Sequence, residues 1–261
     1  MKRLGMIGLL AVLLSAAPVF ALTVDGNPSD WGIYVGDNNT SNWTLNPSLN
    51  LLGFHVDDQN DKAGLDGYVG PAYGGQKYDA EFMAVAQENG RIYMIIVTGQ
   101  RPDNGFSYFE PGDIRIEANG QIFGIEVSGA TYVLNSNGYV TQANATPAGQ
   151  TAGTMWSNVT WLYSNVPTVP SAPVQFEINA NSVQHAGVEF AYSGNSFTTQ
   201  HAVIEVSFDA SILGPEGTPA SFYWRPACGN DELIVHGLVT VPEPTSMLCL
   251  LAGVVLFRKR R

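Results

Sequence analysis

Oxygen donors crowd one short stretch of the chain: Asp57, Asp58, Asn60, Asp61 and Asp66. Hard cations take clustered carboxylates and loop carbonyls as ligands, so this stretch reads as a Ca2+ site. A solvated acidic loop is the alternative. The spacing is not that of an EF-hand: Lys62 stands where glycine would make the sharp turn, and Tyr68 where a bidentate Glu would close the site. A second chemistry needs an exposed ring on which the apolar face of a pyranose can stack. Trp43 lies in an Asn-rich stretch, and Trp156 and Trp161 flank Ser157-Asn158-Val159-Thr160. Five apart on one strand, Trp156 and Trp161 would point to opposite faces, so one of the two belongs to the core. Packing is the alternative for each of the three rings. Trp31 and Trp224 are expected in the core.

Catalytic spacings are missing. The chain has no G-x-S-x-G, no H-E-x-x-H and no P-loop. His55, His185, His201 and His236 lie far apart in sequence. A glycosidase would need two carboxylates at a set separation across a groove, which sequence does not give. The expectation is a non-enzymatic protein, with a polysaccharide-active enzyme as the remaining alternative.

Strands must position whatever chemistry is present. Only 13% of the 261 residues are charged, and Asn, Thr, Ser and Gly fill the polar share. Alternating or β-branched runs occur over residues 50–56, 78–86, 91–98, 113–117, 122–127, 131–134, 154–162, 174–178, 187–192, 202–208, 221–226 and 233–239. Asn89-Gly90, Asn119-Gly120 and Asn137-Gly138 fall between such runs, where Asn-Gly signals a hairpin. One helical turn is expected at 209–213, capped by Asp209 and ended by Gly214-Pro215. The fold class is therefore all-β, a two-sheet antiparallel β-sandwich over residues 22–240. Within 22–241, six basic residues stand against 22 acidic ones. That anionic body argues against nucleic acid and anionic lipid as partners.

The two ends read as addresses. Residues 1–21 have a positive start (Lys2, Arg3), a short apolar stretch and a small-residue exit, the pattern of a secretory signal peptide cut after Ala21. Residues 241–261 hold Pro242-Glu243-Pro244, a short apolar run and a terminal Arg258-Lys259-Arg260-Arg261. A helix of that length is short for a comfortable span, and its basic end would stay cytoplasmic. This order of parts resembles the PEP-CTERM sorting signal. The resemblance implies transient residence in the inner membrane and recognition by an exosortase-type transpeptidase. It also implies delivery to the cell surface, outer envelope or extracellular matrix of a polysaccharide-making bacterium. Trp224-Arg225-Pro226-Ala227-Cys228-Gly229-Asn230-Asp231 is similar to a closing segment of many such proteins.

Leu22-Thr23-Val24-Asp25-Gly26-Asn27-Pro28-Ser29-Asp30-Trp31 resembles the opening of carbohydrate-binding module family 9-like, jelly-roll-type sandwiches, and residues 78–97 resemble a hairpin of the same fold. That likeness implies an extracellular polysaccharide as partner. A purely structural or adhesive surface protein is the competing expectation. Cys249 lies in the tail, which leaves Cys228 alone in the body and gives it no internal disulfide.

Overall fold

The computed structural model describes residues 21–35, 43–57, 79–100, 102, 111–128, 131–134, 140–143, 151–164, 172–194, 201–227 and 231–240. Residues 1–20, Cys228 and residues 241–261 lie outside them. Among the described residues, fifteen strands follow in chain order: β1 Leu51–Val56, β2 Ala80–Glu88, β3 Arg91–Thr98, β4 Ile114–Ala118, β5 Gln121–Ile125, β6 Thr131–Leu134, β7 Val140–Ala143, β8 Met155–Ser157, β9 Thr160–Ser164, β10 Ala172–Glu177, β11 Val183–His185, β12 Glu189–Gly194, β13 Ala202–Asp209, β14 Pro219–Trp224 and β15 Leu233–Leu238. A 3-10 turn, Ala210–Leu213, follows β13; the Asp209 carboxylate accepts from Ser211 N at 2.8 Å and Gly214 ends it, as expected.

The protein is all-β, and every strand pair is antiparallel. One large sheet has the order β1-β2-β3-β13-β12, the other β11-β8-β5-β4-β14-β15; β9-β10 and β6-β7 form separate pairs. The Asn-Gly signals at the described turns act as expected: Asn89 and Gly90 (φ 49° and 78°), like Asn119 and Gly120 (51° and 72°), adopt the left-handed pair that a two-residue hairpin needs.

Alternation along the strands builds two cores. Met83, Val85, Ile92, Met94, Ile96, Ile204, Val206 and Phe208 of the five-stranded sheet meet Ile114, Ile116, Phe123, Ile125, Met155, Phe222, Trp224 and Val235 of the other sheet. The opposite face of the five-stranded sheet is also buried. There Phe82, Ala84, Ala86, Ile95, Val97 and Val203 pack under Leu22, Trp31, Ile33, Trp43 and Leu49. Residues 22–35 and 43–49, though outside any strand, thus form a third layer.

Two expectations need correction. The run 154–162 is two strands, broken where Asn158 takes a left-handed φ of 57°. The new strands belong to different assemblies: β8 joins the six-stranded sheet, whereas β9 pairs only with β10. The second correction is the third layer itself, which a two-layer reading leaves out. β7 and β11, four and three residues long, were too short to leave a periodic signal.

Candidate functional site

The outward face of the six-stranded sheet gathers side chains from strands distant in sequence. On β4 and β14, Ile114, Ile116, Phe222 and Trp224 turn inward, so Arg115, Glu117, Ser221 and Tyr223 turn outward. Register aligns one row across the sheet. Gln184 pairs with Trp156, Trp156 with Gly124, Gly124 with Arg115, Arg115 with Tyr223, and Tyr223 with Ile234. A second row runs Ile122, Glu117, Ser221, His236. From Trp156 to Tyr223 is three strand spacings, roughly 14 Å.

Several polar groups on this face are held. Arg115 donates to Glu117 Oε1 through Nε (3.0 Å) and Nη2 (2.7 Å). Its guanidinium also lies 5.2 Å from the Trp161 ring centroid, a cation–π contact that keeps the planar fork flat. Ser221 Oγ and His236 Nδ1 are 2.8 Å apart, and the Tyr223 and His236 rings meet edge to face. Trp156 Nε1 donates to Thr154 Oγ1 at 3.2 Å. Arg225 pairs with Glu232, and burial draws its guanidinium down to about 10. The β9-β10 hairpin lies over the middle of the first row: Phe176 occupies the space that a side chain at Gly124 would fill, and Trp161 packs on Phe176 and against Arg115.

Such a surface offers planar apolar groups (Trp156 on one side of the hairpin, Tyr223 on the other) and, near Tyr223, held polar groups (Glu117, Ser221, His236), while Arg115 lies buried against Trp161. It suits a neutral polyhydroxylated ligand, which needs ring contacts and directional hydrogen bonds more than net charge. Among the three tryptophans expected to stack on sugar, Trp156 alone lies on this face and is half-exposed. Trp161 is buried, with Arg115 over its ring and Phe176 beside it. Trp43 sits in the outer core, edge-on to Phe82 and His201. Sequence reasoning missed Arg115, Glu117, Ser221, Tyr223 and His236. They lie in the runs 113–117, 221–226 and 233–239, but only register brings them together.

Buried carboxyls elsewhere hold the frame. Glu205, on β13, accepts from Trp31 Nε1 at 2.9 Å, Gly26 N at 2.6 Å and Asp25 N at 3.1 Å. Burial dominates over these donors and pushes its carboxyl up to about 7. Asp113 accepts from Val127 N and Phe176 N, both at 3.1 Å, and also meets the side chain of Glu126. Burial raises Asp113 as well. This pair ties β10 to the edge of β4 and β5. His201 and Glu81 form a buried contact of 3.3 Å at the end of the five-stranded sheet where β2 and β13 begin. Asp57 N donates to Glu81 O at 3.0 Å, which anchors the start of the acidic stretch beside that pair. Asp58, Asn60, Asp61 and Asp66 lie outside the described residues, as do Pro242, Glu243, Pro244, Arg258, Lys259, Arg260 and Arg261. Among the described residues no group of three His, Cys, Asp or Glu side chains could hold a metal ion.

No protein-family model matches the chain, and neither does any curated protein or solved structure.

Proposed function

We propose that the chain is an exported, non-catalytic component of a bacterial cell surface or extracellular matrix, and that the outward face of its six-stranded sheet holds polysaccharide. The cluster of Tyr223, Ser221, His236 and Glu117 carries this reading, because it sets a half-exposed planar ring beside held polar groups on the sheet face, with Trp156 beyond the hairpin as a second ring. The module-like opening supports the same reading in a second way. Asp25-Gly26 and Trp31, the residues of that resemblance, are where Glu205 clamps the N-terminal segment to the sheet. On this proposal the body is a jelly-roll sandwich of the carbohydrate-binding module family 9-like kind. The tail is an exosortase substrate, and the mature protein acts outside the inner membrane.

Affinity electrophoresis through gels containing polysaccharides, the host's own included, tests the binding face. The wild-type protein should be retarded by at least one. Trp156→Ala and Tyr223→Ala should each weaken retardation about tenfold or more while leaving the melting temperature within a few degrees. Unretarded migration in every gel would remove the polysaccharide reading. An adhesive or structural role is favoured by a different observation: Phe54 and Leu238 expose 57% and 58% of their surfaces on the edge strands β1 and β15. That role predicts self-association in sedimentation, with no saturable glycan binding.

A further inference from the structure

We propose that processing cuts the chain between Ala21 and Leu22, and that the α-ammonium so created docks on Glu88. The inference rests on the exported reading above and adds a processing site with its receptor. Ala21 is exposed, whereas Leu22 retains only 5% of its surface and packs in the outer core with Trp31 and Ala86. The backbone nitrogen of Leu22 donates to Glu88 Oε2 at 3.3 Å. The next residue is fixed as well: Thr23 gives Asp30 Oδ2 its N–H at 2.8 Å and its hydroxyl at 3.1 Å. The outer core therefore takes in the residue that the leader pattern makes the first of the mature chain. Two independent features, a small-residue exit and a buried leucine with its nitrogen on a carboxylate, meet at one peptide bond.

Cutting that bond changes the chemistry of a nitrogen already in place. Hydrolysis adds water across the Ala21–Leu22 amide: the carboxylate leaves on Ala21, and the amine stays on Leu22 and takes up a proton. One neutral N–H becomes a cation with three donors facing Glu88. Charge-assisted hydrogen bonds of this kind are about twice as strong as neutral ones. The other ionisable groups around the contact are Tyr93, which faces Glu88, Arg91 and Glu189, and Asp30, which holds Thr23. Arg91 is engaged by Ser207 Oγ at 2.7 Å and Gly187 O at 3.1 Å, which leaves the half-buried Glu88 as the counter-ion for the new terminus. Removal of the leader, on this account, completes the clamp between the third layer and the end of β2.

The full chain with its own leader is expressed in a Gram-negative host, and the protein is recovered from the envelope and the cytoplasm. Mass spectrometry of the N-terminal peptide should show Leu22 as the first residue. The pH dependence of acetylation of that amine by acetic anhydride should give a midpoint about one unit higher in the wild type than in Glu88→Gln, because the opposite charge favours the protonated form. Glu88→Asp, with a shorter arm, should fall between them and serves if the Gln variant does not accumulate. An uncut chain confined to the cytoplasm would sink the exported reading and this inference with it. Cutting at another bond would overturn the inference alone. Cutting at this bond with superimposed midpoints would overturn the docking.

Discussion

Glu205 carries a carboxyl whose surroundings resist its charge. Three N–H groups from Asp25, Gly26 and Trp31 favour the anion, yet burial outweighs them and lifts the group to about 7. An unfolded glutamate titrates near ~4.3. Between those values the folded chain holds a proton that the unfolded chain has lost, so stability falls as pH rises from about 4 to about 7 and levels off above. Asp113, raised by the same cause, adds to the slope with the same sign. Urea midpoints measured from pH 4 to pH 8 should therefore decline toward neutrality. Glu205→Gln should flatten part of that decline while Asp113 preserves the rest. Parallel curves for the two proteins would mean that Glu205 titrates normally. Nothing about this residue was legible beforehand: Glu205 alternates with apolar neighbours in 202–208 and reads as an ordinary outward acid. The third layer buries it, and that layer is not periodic. Trp43 was misjudged for the same reason, since an Asn-rich neighbourhood resembles a loop whether or not it folds down over a sheet.

At the scale of elements, the β9-β10 hairpin and the sheet beneath it meet through an absent side chain. A Cβ on Gly124 would come within 2.6 Å of Phe176 Cε1. Within a strand, alanine is ordinarily better than glycine by about 0.5–1 kcal/mol, but forcing the ring aside costs about 1–3 kcal/mol. The clash wins, so Gly124→Ala should lower the melting temperature and shift the fluorescence of Trp161, whose ring rests on Phe176. Adding Phe176→Leu should recover most of the loss. If Gly124→Ala alone is neutral or stabilising, the hairpin does not depend on that contact. Gly120→Ala is the control: nothing lies within 4 Å of the added carbon, so only the left-handed backbone penalty of about 1–2 kcal/mol remains. Turns such as Asn119-Gly120 were legible because their conformation is dictated by the two residues that form them. The break at Asn158 was not, because an isolated asparagine fits a strand edge or a left-handed turn equally well. The binding face was half legible: alternation told which side chains leave the sheet, but the pairing of β4 with β14, about a hundred residues apart, follows from topology.

For the molecule as a whole, three strands hold two cores together. β2, β3 and β13 send alternate side chains into the space between the sheets and into the layer formed by residues 22–35 and 43–49. Each buried face contributes roughly 25 cal/mol per Å² of apolar area, so these strands gain twice and should be the last to open. The third layer gains once and, among the described residues, has few backbone bonds of its own, such as Asn46 N to Trp31 O at 2.8 Å and Gly32 N to Ser29 O at 3.1 Å. It depends instead on side-chain anchors, Trp31 and Leu22 in the core and Glu205 at the clamp. Native-state hydrogen exchange should then separate two levels. Amides at the centres of β3 and β13, Met94 to Val97 and Ile204 to Val206, should exchange only through global unfolding, with a urea dependence equal to that of the whole chain. Asn46 and Gly32 should exchange faster and with a smaller urea dependence, through lifting of the layer. Glu205→Gln should speed the second class several-fold beyond its effect on the first. One common rate for both classes would show instead that the layer and the sheets unfold as a single unit, and that Glu205 fastens something already held by its buried rings.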